Sequence, residues 1–517
     1  MTVAQEKNGY QLTDLRGWIR AVDEMGELQL VEGADWNLEL GAISELNCRL
    51  KPTPALLFDK IKNYPAGYRV LTGSTASRRR LLLTLRMSTD LDDRALAEAL
   101  AGKPNYWEQE AARFAPEFVS DGPVLENIIN SDIDLESFPA PFWHSEDGGR
   151  FIGTGSAIVT SDPESGWINI GAYRMMTLGG RNVSLAITKG KHGRQHYEKW
   201  WKREGRCPVL ASLGHDPLFL ILGGLEVPTG IGEYNYGGAM VGAPIPVIRE
   251  EITGLPMPAF AEIVLAGWIR PGHEAKEGPF GEATGYYSAT PAPVPVLEVE
   301  RVYHRNDPIL LGAPTAKPPH DFSYMRSVLK SAMIFDALVK AGIPDVRGVW
   351  APESAAGRMI IVVSIKQGYC GHSRQAGYIA SQCQAGAYLN RYVIVVDEDI
   401  DPTNMDEVMW AVATRSDPAT DIDIMRKGWS GPIDPLVRDR RNAYNSRAII
   451  DACRPFEWID EFPRVAEADP AYLREIQAKW PTVFAGRAGN SPPSSGGGDQ
   501  SRQQQRQPRA GKNSIMG

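Results

Sequence analysis

Glycine and proline cut residues 131–315 into short pieces, and no feature of the chain constrains its fold more. Between the breaks lie apolar runs such as Leu218-Phe219-Leu220-Ile221-Leu222, Ile263-Val264-Leu265 and Val294-Pro295-Val296-Leu297. Short runs with this punctuation predict a series of short strands, as in a barrel or sandwich. The flanking regions read differently. Residues 1–130 open with Leu15, Trp18, Ile19 and Val22, the spacing of one helical face, and then alternate helix-like and strand-like pieces. Residues 316–485 predict a helix near 326–341, a buried strand at 359–363, a helix near 375–390 and a strand at 392–397. That rhythm belongs to a parallel α/β sheet. From about Gly486 to Gly517 the chain is Gly, Ser, Pro and Gln with few apolar residues, which predicts a disordered tail. Its five cations and single Asp499 suit a solvated extension or an acidic partner. The expected fold class is therefore α/β (α+β, multidomain), in line with two to four domains for 517 residues.

Composition narrows the function. A formal net charge of −8 argues against a nucleic-acid binder. The five cysteines, Cys48, Cys207, Cys370, Cys383 and Cys453, are scattered with no CxxC pair. Neither a zinc knuckle nor a disulfide framework is expected, and reduced thiols in a cytoplasm are. No apolar run predicts a signal peptide or a membrane span.

The segment Glu277-Gly278-Pro279-Phe280-Gly281-Glu282 sets two carboxylates five residues apart, with helix breakers between them. A tight loop that brings them to one point would push one pKa upward and suit proton transfer. A loop with two solvated glutamates is the alternative. Upstream lie Asn169 and Arg174, Lys191-His192, and Glu233 within Gly232-Glu233-Tyr234. An amide oxygen, an imidazole and a carboxylate could hold a hard cation such as Mn²⁺ or Mg²⁺, bridged to a phosphate. Each has an ordinary reading too, as a turn asparagine, a plain imidazole or a solvated charge.

These segments, together with Lys317-Pro318-Pro319, Ile365-Lys366-Gln367-Gly368-Tyr369-Cys370-Gly371-His372, Val396-Asp397-Glu398-Asp399-Ile400-Asp401 and Trp410-Ala411-Val412-Ala413-Thr414-Arg415-Ser416-Asp417-Pro418, resemble the UbiD-type decarboxylases. These depend on prenylated FMN (prFMN). The resemblance runs from about residue 10 to 480. It implies domains at about 1–130 (N-terminal α/β), 131–315 (a prFMN-binding split barrel like that of flavin reductases) and 316–485 (an α/β oligomerisation domain). It assigns Arg174, Glu277 and Glu282 to a Glu-Arg-Glu catalytic network. It assigns Asn169, His192 and Glu233 to a divalent metal, usually manganese, with K⁺ close by. Residues Asn169, Ile170, Gly171, Ala172, Tyr173, Arg174, Lys191, His192 and Glu233 are then the expected cofactor contacts.

The implied activity is reversible decarboxylation of an aromatic or heteroaromatic acid, releasing CO₂. A flavin prenyltransferase would supply the cofactor, and the assembly would be a homodimer or homohexamer. His320 and Ala283 are candidate substrate contacts, His320 as a hydrogen-bonding group or a helix cap, and Ala283 as space for a ring. A CoA ester, met by Arg78-Arg79-Arg80, is a further option, against a solvated charge run. Two other readings are a flavin-reductase-like oxidoreductase using FMN and a non-catalytic flavin-binding subunit of a carboxylase complex.

Overall fold

The structure is a computed structural model, and it describes residues 14–287, 292–438 and 442–484. The predicted tail lies outside the described residues. Helix α1 (Leu15–Glu24) starts where Asp14 accepts a hydrogen bond from the Arg16 N–H, and it buries Leu15, Trp18, Ile19 and Val22 as their spacing predicts. That face packs on Ala55, Leu57 and Leu71 of a small sheet. The sheet holds β1 (Leu28–Glu32), β2 (Ala55–Asp59) and β3 (Arg69–Thr72), with β1 parallel to β2 and β2 antiparallel to β3.

Helix α2 (Arg78–Thr84) corrects one expectation. Each of its three arginines has a carboxylate partner, and only Arg80 is buried, while Arg78 and Arg79 keep 38% and 42% of their side chains exposed. Arg80 is fully buried, with Nη1 2.8 Å from Glu27 Oε2 and Nε donating to the Gly73 carbonyl at 2.9 Å. Arg79 meets the other Glu27 oxygen at 3.0 Å, and Arg78 pairs with Asp93 at 3.5 Å. The run ties α2 to its neighbours.

The middle of the chain forms a seven-stranded antiparallel sheet. Its strands are β4 (Asn127–Ile129), β5 (Ala157–Ser161), β6 (Ile168–Gly171), β7 (Asn182–Ser184), β8 (Cys207–Gly214), β9 (Ile263–Glu277) and β10 (Ala292–His304). The order is β7-β10-β9-β8-β5-β6, with β4 also on β10. Among the described residues the path stays open and does not close into a barrel. Side chains alternate between two cores, as strand geometry requires. Val264 and Ala266 of β9 enter one core, and Ile263, Leu265 and Ile269 enter the other.

Three helices lie among these strands: α3 (His192–Glu204), α4 (Leu218–Gly224) and α5 (Glu233–Val241). Helix α4 overturns the strand predicted at 218–222. All five apolar residues are buried, so no periodicity marks which element they form. The Asp216-Pro217 pair starts a helix instead, with Asp216 Oδ1 accepting from the Leu218 N–H at 2.9 Å.

Strand β11 (Ile309–Leu311) returns to the first sheet and runs parallel to β3. The last region is α/β. Helix α6 (Ser323–Lys340) precedes a sheet of β12 (Val346–Trp350), β13 (Ile360–Ile365), β14 (Tyr392–Asp397), β15 (Ile422–Trp429) and β16 (Tyr444–Ala452). The order is β12-β13-β14-β16-β15, with β13, β14 and β16 parallel and both edges antiparallel. Helix α7 (His372–Gln382) joins β13 to β14, and the helix expected to reach 390 stops where Cys383 turns extended. Helix α8 (Met405–Arg415) ends on Arg415, which binds Asp397 at 3.1 Å and forks onto Asp399 at 2.9 and 2.8 Å. Among the described residues no helix is long and apolar enough to cross a membrane.

Candidate active site

Strand β9 runs through both cores and then out of them, and its last residue is Glu277, buried again. Gly278 follows with φ of 88°, a backbone state that glycine adopts without strain and that turns the chain. Phe280 then packs its ring 4.2 Å from that of Phe151. The turn closes through Glu282, whose N–H donates to the Tyr286 carbonyl at 3.0 Å and whose carbonyl accepts from Gly285 at 2.8 Å. Arg174 enters from beyond the end of β6. Its Nε and Nη2 grip Glu277 at 2.6 and 3.0 Å, and its Nη1 reaches Glu282 Oε1 at 2.9 Å. The predicted pair of carboxylates is thus brought to one point, but with a cation between them.

That geometry makes the two carboxylates unequal. Glu277 is only 2% exposed and holds Arg174 with both oxygens, whereas Glu282 is 18% exposed and meets Arg174 through Oε1. Burial alone would disfavour the Arg174 charge. The hydrogen bonds and charge of Glu277 and Glu282 more than offset this and hold the guanidinium above its usual range. Arg174 has five N–H donors, and the two glutamates take three of them, which leaves one on Nη1 and one on Nη2.

The second candidate group gathers around β6. Asn169 lies on that strand and is buried. Glu233 opens α5, and its Oε2 accepts from the Ile170 N–H at 2.9 Å. His192 opens α3, its ring 4.8 Å from that of Trp167, and its Nε2 is 3.2 Å from Thr229 Oγ1. Tyr173 accepts from the Gly193 N–H at 3.4 Å. Two helix N-termini and one strand therefore carry the three candidate ligands.

The donor set fits a hard cation. Burial raises Glu233 to about 8, against the pull of the Ile170 N–H, with no cation beside it among the described residues. Asn169 Nδ2 is buried with no partner among the described residues, and rotation of the same amide would offer its oxygen. Burial and the neighbouring Lys191 lower His192, which favours the neutral, ligating imidazole. Among the described residues no three His, Cys, Asp or Glu side chains cluster as a metal site, so any site here needs the asparagine.

Comparison with known proteins gives these groups a context. Family models of the 3-octaprenyl-4-hydroxybenzoate carboxy-lyase match in three consecutive blocks. The N-terminal domain matches residues 19–100, the Rift-related domain 117–318 and the C-terminal domain 323–452. The chain belongs to the UbiD family. It is a carboxy-lyase. An uncharacterised protein of Archaeoglobus fulgidus is 30% identical over 487 residues, 90% of this chain and 98% of that one. Pyrrole-2-carboxylic acid decarboxylase of Pseudomonas aeruginosa is 29% identical over 486 residues, 90% of this chain and 97% of that one. The UbiD-class enzyme HmfF of Pelotomaculum thermopropionicum, solved with FMN, superposes with a TM-score of 0.77 at 27% identity, covering 88% of this chain and 97% of that one. An evolved dimeric form of HmfF, solved with prFMN, gives 0.74 at 26% identity over the same shares.

Within this UbiD chain the two substrate candidates take specific places. His320 is buried, its Nε2 3.3 Å from the Ala283 carbonyl and its ring 4.6 Å from that of Phe322. It therefore braces the residue after Glu282, while its own backbone N–H donates to Ser323 Oγ at 2.9 Å near the start of α6. Ala283 is buried beside it. Lys191 lies 3.9 Å from Glu226, a carboxylate absent from the sequence expectations. Glu226 also meets Lys330 at 3.1 Å and Arg358 at 3.6 Å. These cations come from separate segments and have no motif spacing, so only the fold gathers them.

Proposed function

We propose that this UbiD-family chain is a prFMN-dependent decarboxylase that acts reversibly on an aromatic or heteroaromatic carboxylic acid, with Glu282 as its proton donor. The Glu277–Arg174–Glu282 bridge carries this reading. Loss of CO₂ from an sp² carbon leaves an electron pair in the ring plane that the ring cannot delocalise. Bound prFMN supplies the missing electron sink. The residues of this chain do the rest. The two N–H donors left on Arg174 can orient the substrate carboxylate. Glu277, buried and gripping with both oxygens, fixes the guanidinium plane. Glu282 faces the site on its more exposed side and delivers the proton to the carbon that loses CO₂. In the carboxylating direction the same group accepts it.

Asn169, His192 and Glu233 would hold Mn²⁺ or Mg²⁺ against the cofactor phosphate, with K⁺ as a further ion, and the segment from Asn169 to Arg174 with Lys191 would hold the cofactor. A flavin prenyltransferase would be the supplier. A homo-oligomer, dimer or hexamer, suits the exposed Ile424, Trp429 and Tyr444 on the β15–β16 pair. The substrate class draws support from the relative that acts on pyrrole-2-carboxylic acid.

The test uses protein made with a flavin prenyltransferase. Its cofactor is identified by mass, and a panel of aromatic acids is screened for CO₂ release. Glu282→Gln should lower turnover by about 100-fold or more while the bound flavin stays the same. Wild-type rates in that variant, or ordinary FMN in fully loaded protein together with NAD(P)H consumption, would overturn the reading.

A further inference from the structure

The two glutamates of the site are fixed by different means. Glu277 is the last residue of β9, where it pairs with Ala292 of β10 and is buried. The sheet sets its place. Glu282 lies beyond the end of that strand, in the turn. Its N–H donates to the Tyr286 carbonyl at 3.0 Å, and Gly281 bridges to Tyr287. The far arm of the turn, residues 286 and 287, therefore carries the backbone of Glu282.

That arm is tied to a second segment, residues 144–148. The Tyr287 hydroxyl donates to Asp147 Oδ1 at 3.1 Å. The Asp147 side chain is fully buried, and its Oδ2 accepts from the His144 N–H at 3.0 Å. The Asp147 N–H in turn donates to the His144 carbonyl at 3.0 Å. This closed turn fixes the direction of the carboxylate. The next residue holds the near arm: the Gly148 N–H donates to the Pro279 carbonyl at 2.7 Å, and a Cβ on Gly148 would collide with the Gly278 carbonyl. Residues 144–148 thus grip both ends of the turn that presents Glu282. Burial and the Asp147 charge push the Tyr287 phenol above its ordinary range, so it keeps its proton and donates at neutral pH.

We infer that the Tyr287–Asp147 hydrogen bond is a latch that sets the position of Glu282, and that Tyr287 is a positioning residue for the proton step. The inference rests on the decarboxylase reading above and deepens it. Opening the latch shifts Glu282 while β9 keeps Glu277, and with it Arg174, in place. Protonation then slows, and binding of the acid at Arg174 does not change. Displacing a catalytic group by about 1 Å can cost about 100-fold in rate. With the Gly148 anchor intact, loss of the latch should cost about 10-fold.

Tyr287→Phe tests this, since it keeps the ring and removes the hydroxyl. In cofactor-loaded enzyme acting on its best aromatic acid, kcat should fall about 10-fold with KM and flavin content unchanged. The solvent deuterium isotope effect on kcat should rise, as proton transfer becomes limiting. Amide exchange should quicken at Glu282 and Gly285 and stay as in the wild type along β9, a readout that needs no turnover. Asp147→Asn keeps an oxygen that accepts from the phenol, so it should retain most of the wild-type kcat. Loss of flavin from Tyr287→Phe, or a rise in KM as large as the fall in kcat, overturns the positioning role. So does unchanged exchange in the turn. If the wild type decarboxylates an acid and Tyr287→Phe matches its kcat, the decarboxylase reading stands and the latch falls. If the loaded wild type releases no CO₂ from any acid, that reading falls and the role in proton delivery falls with it, whatever the exchange shows.

Discussion

A neutral imidazole is the form that the surroundings of His320 permit. Burial, with Arg326 adding to it and the Ala283 carbonyl opposing it, lowers this histidine to about 3. In the unfolded chain it titrates near its ordinary value of about 6.5. A histidine depressed in the fold contributes stability that is present above pH 6.5 and lost as pH falls toward its folded value. The loss is about 1.4 kcal/mol per pH unit. His320→Asn lacks this titration. The gap in unfolding temperature between wild type and variant should therefore narrow from pH 7 to pH 5 in scanning calorimetry. An unchanged gap would mean that His320 takes up its proton as readily in the fold as in the unfolded chain. The same residue also couples stability to chemistry, because its Nε2 braces the backbone beside Glu282.

At the scale of elements, β6 and α4 are in backbone contact. The Ala172 N–H donates to the Gly223 carbonyl at 3.0 Å, and a Cβ on Gly223 would fall 2.6 Å from the Ala172 nitrogen. No flexible side chain is there to yield, so Gly223→Ala must displace the segment that carries Asn169 to Arg174. We expect about a tenfold fall in flavin bound per protein, read from absorbance, with an unfolding temperature only a few degrees lower. The same stretch shows what the sequence could and could not reveal. The face Leu15, Trp18, Ile19 and Val22 was legible because one side of α1 is buried and the other is not. The strands at 359–363 and 392–397 were legible because a parallel sheet buries continuous apolar runs. Residues 218–222 were not, since burial on every side erases the helical period and leaves a run that looks like a strand. Glu277 and Glu282 announced themselves by local spacing. The role of Arg174 as the bridge between them needed 103 residues of intervening fold, and the Glu226 cluster had no local signature at all.

At the scale of the molecule, the first sheet and the middle sheet are locked by one carboxylate. Glu262 is fully buried just before β9. It accepts from Arg16 Nε and Nη2 at 2.9 Å each, from Arg305 at 3.2 Å and from the Ile309 N–H at 3.3 Å. Glu262→Gln removes the buried charge that Arg16 and Arg305 share, although Arg305 keeps Asp14 at 3.0 Å and Arg16 is partly exposed. Removing one partner of a buried ion pair typically costs about 3–5 kcal/mol. The variant should unfold several degrees lower in calorimetry, and the early part of the transition should expose α1 to proteolysis. A loss no larger than that of a surface glutamate would show that the lock contributes little.

The pairing of β11 with β3 also has a consequence for biosynthesis. Ile309 lies against Arg69, so the first sheet is completed by a strand some 240 residues downstream. At about 5–20 residues per second of translation, β3 waits roughly 12–50 s on the ribosome before its partner is made. During that time the Val70 and Leu71 edge has no strand beside it on that side, which makes the nascent N-terminal third a natural client for a chaperone that shields open sheet edges.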